Sequence, residues 1–297
     1  MINELKNWLE KYENYLSLEK GRSQGTIKEY LRKISHFLTW LENNNQNEIN
    51  GENIFNYRVY LNKKGVSLKT QSYYLIAIRN FLKFIQKKGK TTYEPNLIEL
   101  PKLPEREITI LDDDELNKLL NSPEGNNLKA LRDKALLEIL FSTGLRVSEL
   151  CSLNRDINLK KGEIKVKGKG GKTRTVFLSS LAKNYLEKYL SMRTDNNPAL
   201  FINLSKNKKG ERLTPRGVEK IIKYYAKKTG LLKRVTPHLL RHQFATDLLM
   251  AGADLRAIQL LLGHKNLQTT QIYTHLTNKE LKEIHQSFHG RRRQKIT

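Results

Sequence analysis

Four short stretches of this 297-residue sequence place reactive side chains at spacings suited to phosphate chemistry. The first is Thr143-Gly144-Leu145-Arg146-Val147-Ser148-Glu149-Leu150. A glycine closes one helix and Arg146 opens the next, where free backbone N–H groups and the helix dipole also favour an anion. Glu149 lies three residues on, within reach of an arginine; a plain ion pair on a helix surface accounts for the same pattern. The second is Gly168-Lys169-Gly170-Gly171, flanked by Lys167 and Lys172. Glycines admit close backbone approach, and a mobile lysine can donate a proton or contact phosphate. An exposed basic turn looks the same. The third is Thr236-Pro237-His238-Leu239-Leu240-Arg241-His242. His238 and Arg241 share a helical face and could hold two oxygens of one phosphate. His238 and His242 have the spacing of metal ligands, but the zinc-protease pattern needs a glutamate where Leu239 stands, and no cysteine cluster is near. No metal is assigned. The fourth runs from Leu262-Gly263-His264 to Tyr273-Thr274-His275. A histidine follows a glycine at a helix end, and a tyrosine comes nine residues later. One tyrosine among 13 is, by itself, as well explained as a half-buried aromatic.

These stretches need elements to hold them. Helical spacing of apolar residues predicts four helices in residues 1–93: one through Leu5, Trp8, Tyr12 and Leu16, one from an N-cap at Ser23, one near Ile54–Leu61 and one from about Leu68 to Lys88. Residues 94–108 carry Pro95, Pro101 and Pro104 among alternating charges and read as an extended linker. Residues 109–297 then mix periods. Helices are predicted at Asp112–Asn121, Leu128–Ser142 and Val147–Leu153. The alternation of Glu163–Lys167 and Arg174–Leu178 predicts a β-hairpin whose turn holds Lys169. Further helices follow at Leu181–Leu190, Arg216–Thr229, Leu239–Ala251, Asp254–Leu262 and Thr277–Ser287.

Length alone suggests about two domains. With 38 % apolar residues and 17 glycines the chain has enough material for a packed core. Its 54 basic and 30 acidic residues leave a net charge of +24, which points to an acidic partner, nucleic acid first. Between Asn53 and Tyr93 lie nine Lys/Arg, among them Lys69, Arg79 and Lys83, interleaved with aromatics and with no acid. A second block, Lys206–Arg234, contains Arg216 and ten other basic residues against two acids. Both read as phosphate-contacting faces, with a solvated basic surface as the competing account. The lone Cys151 excludes an internal disulfide and a multi-cysteine zinc site and suits a reducing compartment. No stretch has the length and apolarity of a signal peptide or a membrane span.

In chain order the four stretches read Arg, Lys, His-x-x-Arg, Gly-His, Tyr, and in this order and spacing the sequence resembles the tyrosine recombinases of the phage-integrase family, most closely the compact Xer-type enzymes. The resemblance covers nearly the whole chain. It implies a mainly α protein: a four-helix SAM-like core-binding domain at 1–93, a linker at 94–108, and an α+β catalytic domain at 109–297, together a C-shaped clamp on double-stranded DNA. The likeness starts at the core-binding domain, without an arm-type domain, so a simple recombinase is expected.

The resemblance also implies roles. Tyr273 would attack a DNA phosphate and leave a 3′-phosphotyrosine, a link that conserves the bond energy and needs neither ATP, a metal nor any other cofactor. Arg146 and Arg241 would clamp the non-bridging oxygens and His264 would donate to one of them. His238 would be general acid/base, and Lys169, with Lys172 as second choice, would protonate the departing 5′-oxygen. Glu149 would orient Arg146. Lys69, Arg79, Lys83, Lys172, Arg174 and Arg216 would contact DNA. A homo- or hetero-tetramer on two sites is implied, closed by a C-terminal helix at about 277–288 passed to a neighbour, with a helix packed on its own domain as the competing account. A sister recombinase and a septal DNA translocase are implied partners, and a cytoplasmic, nucleoid-associated location with no membrane contact. The competing functions are an integrase or excisionase of a mobile element, a type IB topoisomerase, and a DNA-binding protein without catalysis.

Overall fold

A computed structural model describes residues 2–90, 92–103, 110–168, 173–263 and 285–287. The chain divides into two compact units, Met1–Glu107 and Ile108–Thr297.

The first unit holds α1 (Ile2–Asn14), continued by a π-helical turn at Tyr15–Glu19, then α2 (Gln24–Asn43), α3 (Gly51–Lys63) and α4 (Leu68–Lys87). Each later start has a side-chain oxygen on a free N–H of the first turn: Ser23 on Thr26, Asn50 on Asn53, Ser67 on Thr70. The apolar stripes meet in one core of Tyr12, Ile27, Phe37, Leu41, Tyr57, Phe81 and their neighbours. Of the aromatics interleaved with the basic run, Tyr57, Tyr74, Phe81 and Phe84 are buried, whereas Phe55 and Tyr73 are at least half exposed. The proline segment does not begin as an extended linker. Pro95–Leu97 form a 3₁₀ turn capped by Glu94, and Ile98 is buried in the helical core. Arg79 fastens the turn by donating to the carbonyls of Pro95 (3.0 Å) and Asn96 (3.5 Å).

The second unit is built on α6 (Leu128–Thr143), buried on nearly every side. Around it lie α5 (Asp113–Asn121), α7 (Val147–Ser152), α8 (Ser180–Ser191), α9 (Pro215–Lys228), α10 (Pro237–Met250) and α11 (Leu255–Leu262). Strands β1 (Glu163–Lys167) and β2 (Thr173–Phe177) pair antiparallel, with Lys167 opposite Thr173 and Glu163 opposite Phe177. Because α6 is enclosed, its charged residues find partners inside: Arg132 pairs with Asp133, and Asp133 accepts from the Tyr225 hydroxyl at 3.0 Å. Burial outweighs these contacts and pushes the Asp133 carboxyl above its ordinary range. Among the described residues no helix is long and apolar enough to cross a membrane.

Candidate active site

The turn between α6 and α7 sets the geometry. Gly144 caps α6 with φ +58°. A Cβ there would lie 2.5 Å from Phe244 Cδ1 and 2.9 Å from Leu262 Cδ2, so only glycine lets α10 and α11 come this close. Two residues later Arg146 starts α7. Glu149 reaches back, its Oε2 accepting from the Arg146 backbone N–H at 2.8 Å and its Oε1 from Arg146 Nη1 at 2.9 Å. The same carboxylate is gripped by Arg174 of β2, Nη1 on Oε1 at 2.9 Å and Nη2 on Oε2 at 2.8 Å. Burial would raise the Glu149 carboxyl, but the hydrogen bonds and charges of Arg174 and Arg146 win and hold it down at about 2.

Arg241, one helical turn after His238 on α10, is buried beside this cluster. It donates to the carbonyl of Gly144 and to that of Leu262, each at 2.6 Å. Burial, then the charges of Arg146 and Arg174, depress its guanidinium to about 10, so it stays cationic at neutral pH. The last carbonyls of a helix have no partners within it. Here the three at the end of α11 are each met by a different arginine: Leu261 by Arg174 Nε at 3.1 Å, Leu262 by Arg241, and Gly263 by Arg146 Nη2 at 3.5 Å. The arginines thereby fix the end of α11. Arg146 differs from the others in access. Its side chain is 38 % exposed, against 13 % for that of Arg174.

His238 is exposed on the first turn of α10, and its Nε2 lies 2.9 Å from Nε2 of His242. No group of three or more His, Cys, Asp or Glu converges among the described residues. Arg216 is exposed at the start of α9 and lines a cavity of about 510 Å³ whose walls also carry Lys129, Lys208 and Lys220. On α4, Lys83 is exposed and Lys69 half-buried. Lys169, Lys172, His264 and Tyr273 lie outside the described residues, as does most of the 277–288 segment. Within that segment His285 is described. It is buried in its own unit, 2.6 Å from the Ser142 carbonyl and beside the rings of Phe177 and Phe244.

The structure thus brings Arg146, Glu149 and Arg241 together. Two of the anticipated DNA contacts, Arg79 and Arg174, donate to partners within their own units. Sequence reasoning missed Arg174 as part of the cluster although a signal was present: it is two residues from buried Val176, hence on the inward face of β2. Nothing in the sequence flagged His285.

Two family models match: "Phage integrase family" over residues 109–280 and "Phage integrase, N-terminal SAM-like domain" over 9–89. The chain is 40 % identical over 296 residues to the tyrosine recombinase XerD of Oceanobacillus iheyensis, covering 95 % of this chain and 98 % of that one. It is 38 % identical over 290 residues to the tyrosine recombinase XerC of Thermodesulfovibrio yellowstonii, covering 93 % and 94 %. Among solved structures it is similar to the XerH site-specific recombinase bound to its difH substrate before cleavage, with TM-score 0.65, 29 % identity and coverage of 86 % and 78 %. The guanidinium cluster between α6, β2, α10 and α11 lies in a chain that these family models and relatives match over most of its length, and the protein belongs to the phage integrase family, as a tyrosine recombinase of Xer type.

Proposed function

We propose that this protein is a site-specific DNA recombinase that breaks and rejoins duplex DNA through a covalent 3′-phosphotyrosine, and that it resolves chromosome or plasmid dimers during chromosome partition and cell division. The observation that carries this reading is the guanidinium cluster. Arg146 and Arg241 are held by internal acceptors, with Arg146 still open to a ligand. XerH, a site-specific recombinase at 29 % identity, was solved bound to its difH substrate before cleavage.

In the proposed reaction the Tyr273 oxygen attacks the scissile phosphorus, its proton passing to His238. The bond to the 5′-oxygen breaks, and that oxygen takes a proton from Lys169, or from Lys172 in the same turn. Arg146 and Arg241 bind the non-bridging oxygens as charge builds on them, and His264 donates a further hydrogen bond. Attack by a 5′-hydroxyl of the partner duplex reverses these steps and joins exchanged strands. Lys69, Lys83, Lys172 and Arg216 are proposed DNA contacts. Four protomers on two sites, a homo- or hetero-tetramer with a sister recombinase, would exchange the helix at about 277–288 in a ring; the second reading, a helix packed on its own domain, is favoured by the burial of His285 against the Ser142 carbonyl. A septal DNA translocase is a further proposed partner. The proposed location is the cytoplasm, at the nucleoid.

Covalent trapping tests this. Wild type and Tyr273→Phe are incubated with fragmented genomic DNA, and detergent-resistant adducts are captured and sequenced. Adducts from wild type alone, enriched at one site, are expected. Equal adducts from both proteins would move the nucleophile elsewhere. A recovered site at the end of a mobile element would turn the role to integration or excision.

A further inference from the structure

Arg174 sits on the hairpin strand, and every contact described for it is internal: both oxygens of Glu149 and the carbonyl of Leu261. Gly263 leaves room for it, since a Cβ there would lie 3.0 Å from Arg174 Cδ. The cluster would work differently without this residue. Glu149 faces Arg146 and Arg174 directly and Arg241 through space. Three guanidiniums and one carboxylate leave a net charge of +2 for an incoming phosphate. Without Arg174 the carboxylate would fall to Arg146 alone, and the net charge would drop to +1. The best-exposed guanidinium of the site would then be neutralised by its own neighbour. The Leu261 carbonyl at the end of α11 would also lose its donor.

We infer that Arg174 is a positioning residue for strand cleavage: by taking both oxygens of Glu149 it keeps the charge of Arg146 available to the scissile phosphate and locks the end of α11. This rests on the reading of Arg146 as a phosphate clamp. Arg174 touches no reacting atom, and it acts through Glu149.

The test is single-turnover cleavage by the full chain on a nicked duplex carrying the genomic site trapped by wild type, with affinity measured alongside. Arg174→Met is expected to cleave about 10- to 100-fold more slowly, the loss usual when a residue that orients a reacting group is removed, with affinity within about threefold. The decisive variant is Arg174→Met combined with Glu149→Gln. Removing the carboxylate restores the net charge, so the double variant is expected to cleave about tenfold faster than Arg174→Met alone. A purely structural role predicts the opposite, because the Glu149–Arg146 ion pair is then lost in addition to the contacts of Arg174. Arg174→Lys keeps the charge without the two-pronged grip and should fall between wild type and Arg174→Met; it also serves if the Met variant fails to fold. Wild-type rates for Arg174→Met or Arg174→Lys, or a double variant no faster than Arg174→Met, would overturn the inference. Tyr273→Phe on the same duplex separates the two levels. An adduct there sinks the underlying reaction, whereas no adduct there with full activity in Arg174→Met sinks the positioning role alone.

Discussion

At the scale of single residues, the site depends on arginines held by acceptors that only a planar fork can reach together. Arg241 spans two carbonyls on different elements, those of Gly144 and Leu262. A lysine has one nitrogen and cannot bind both with the same geometry. Arg241→Lys is therefore expected to lower single-turnover cleavage by about 10²- to 10³-fold, the usual loss for one donor to a developing oxyanion, while affinity changes little. Comparing rate and affinity on one duplex checks it. Glu149 gives a second expectation. Its carboxyl is held at about 2, below the ordinary 4.5, so its contribution to stability is complete above about pH 4.5 and fades as pH falls towards 2. Glu149→Gln should lower Tm at pH 7 and converge with wild type near pH 2. A Tm difference that stayed constant over that range would show that Glu149 stabilises through packing and not through its charge.

At the scale of elements, much of this arrangement is legible in the sequence because the signals are local. The caps Ser23, Ser67 and Asp112 start helices where serine or aspartate precedes an apolar stripe. The glycine of Thr143-Gly144-Leu145-Arg146 does end α6, and the alternating stretches do pair as a hairpin. What escaped is long-range. Arg174 meets Glu149 across 25 residues, His285 meets Ser142 across 143, and the Pro95–Leu97 turn packs only because Arg79 and the helical core receive it. A proline cluster signals a break from helix, not whether the broken chain is free or docked. The same distinction separates two left-handed glycines. Gly21, at φ +54°, has nothing within 4 Å of an added Cβ, so Gly21→Ala should cost only the backbone strain of about 1–2 kcal/mol. Gly144→Ala adds a Cβ into Phe244 and Leu262. It should cost about 1–3 kcal/mol more through overpacking, with slowed cleavage as the Arg241 acceptors shift. Denaturant melts of both variants measure the difference, and equal losses would show that the contacts at Gly144 yield freely.

At the scale of the whole molecule, a net charge of +24 says that long-range attraction to a polyanion is built in, but not which cations touch it. The structure sorts two of them on one helix. Lys83 is exposed on α4, whereas Arg79, one turn earlier, donates to Pro95 and Asn96. Each phosphate contact releases counterions from duplex DNA, so the logarithm of the binding constant falls linearly with the logarithm of salt, by roughly 0.9 per contact. If Lys83 touches a phosphate, Lys83→Ala should weaken binding and make that slope shallower by about 1. Arg79→Ala should leave the slope unchanged and lower the stability of the first unit, because two carbonyls lose their donor. Anisotropy titrations of a fluorescent duplex at several salt concentrations, with thermal melts of the same proteins, read both effects. An Arg79→Ala slope that fell like that of Lys83→Ala would mean its guanidinium leaves the Pro95 turn when DNA arrives, and the turn would then belong to the binding surface.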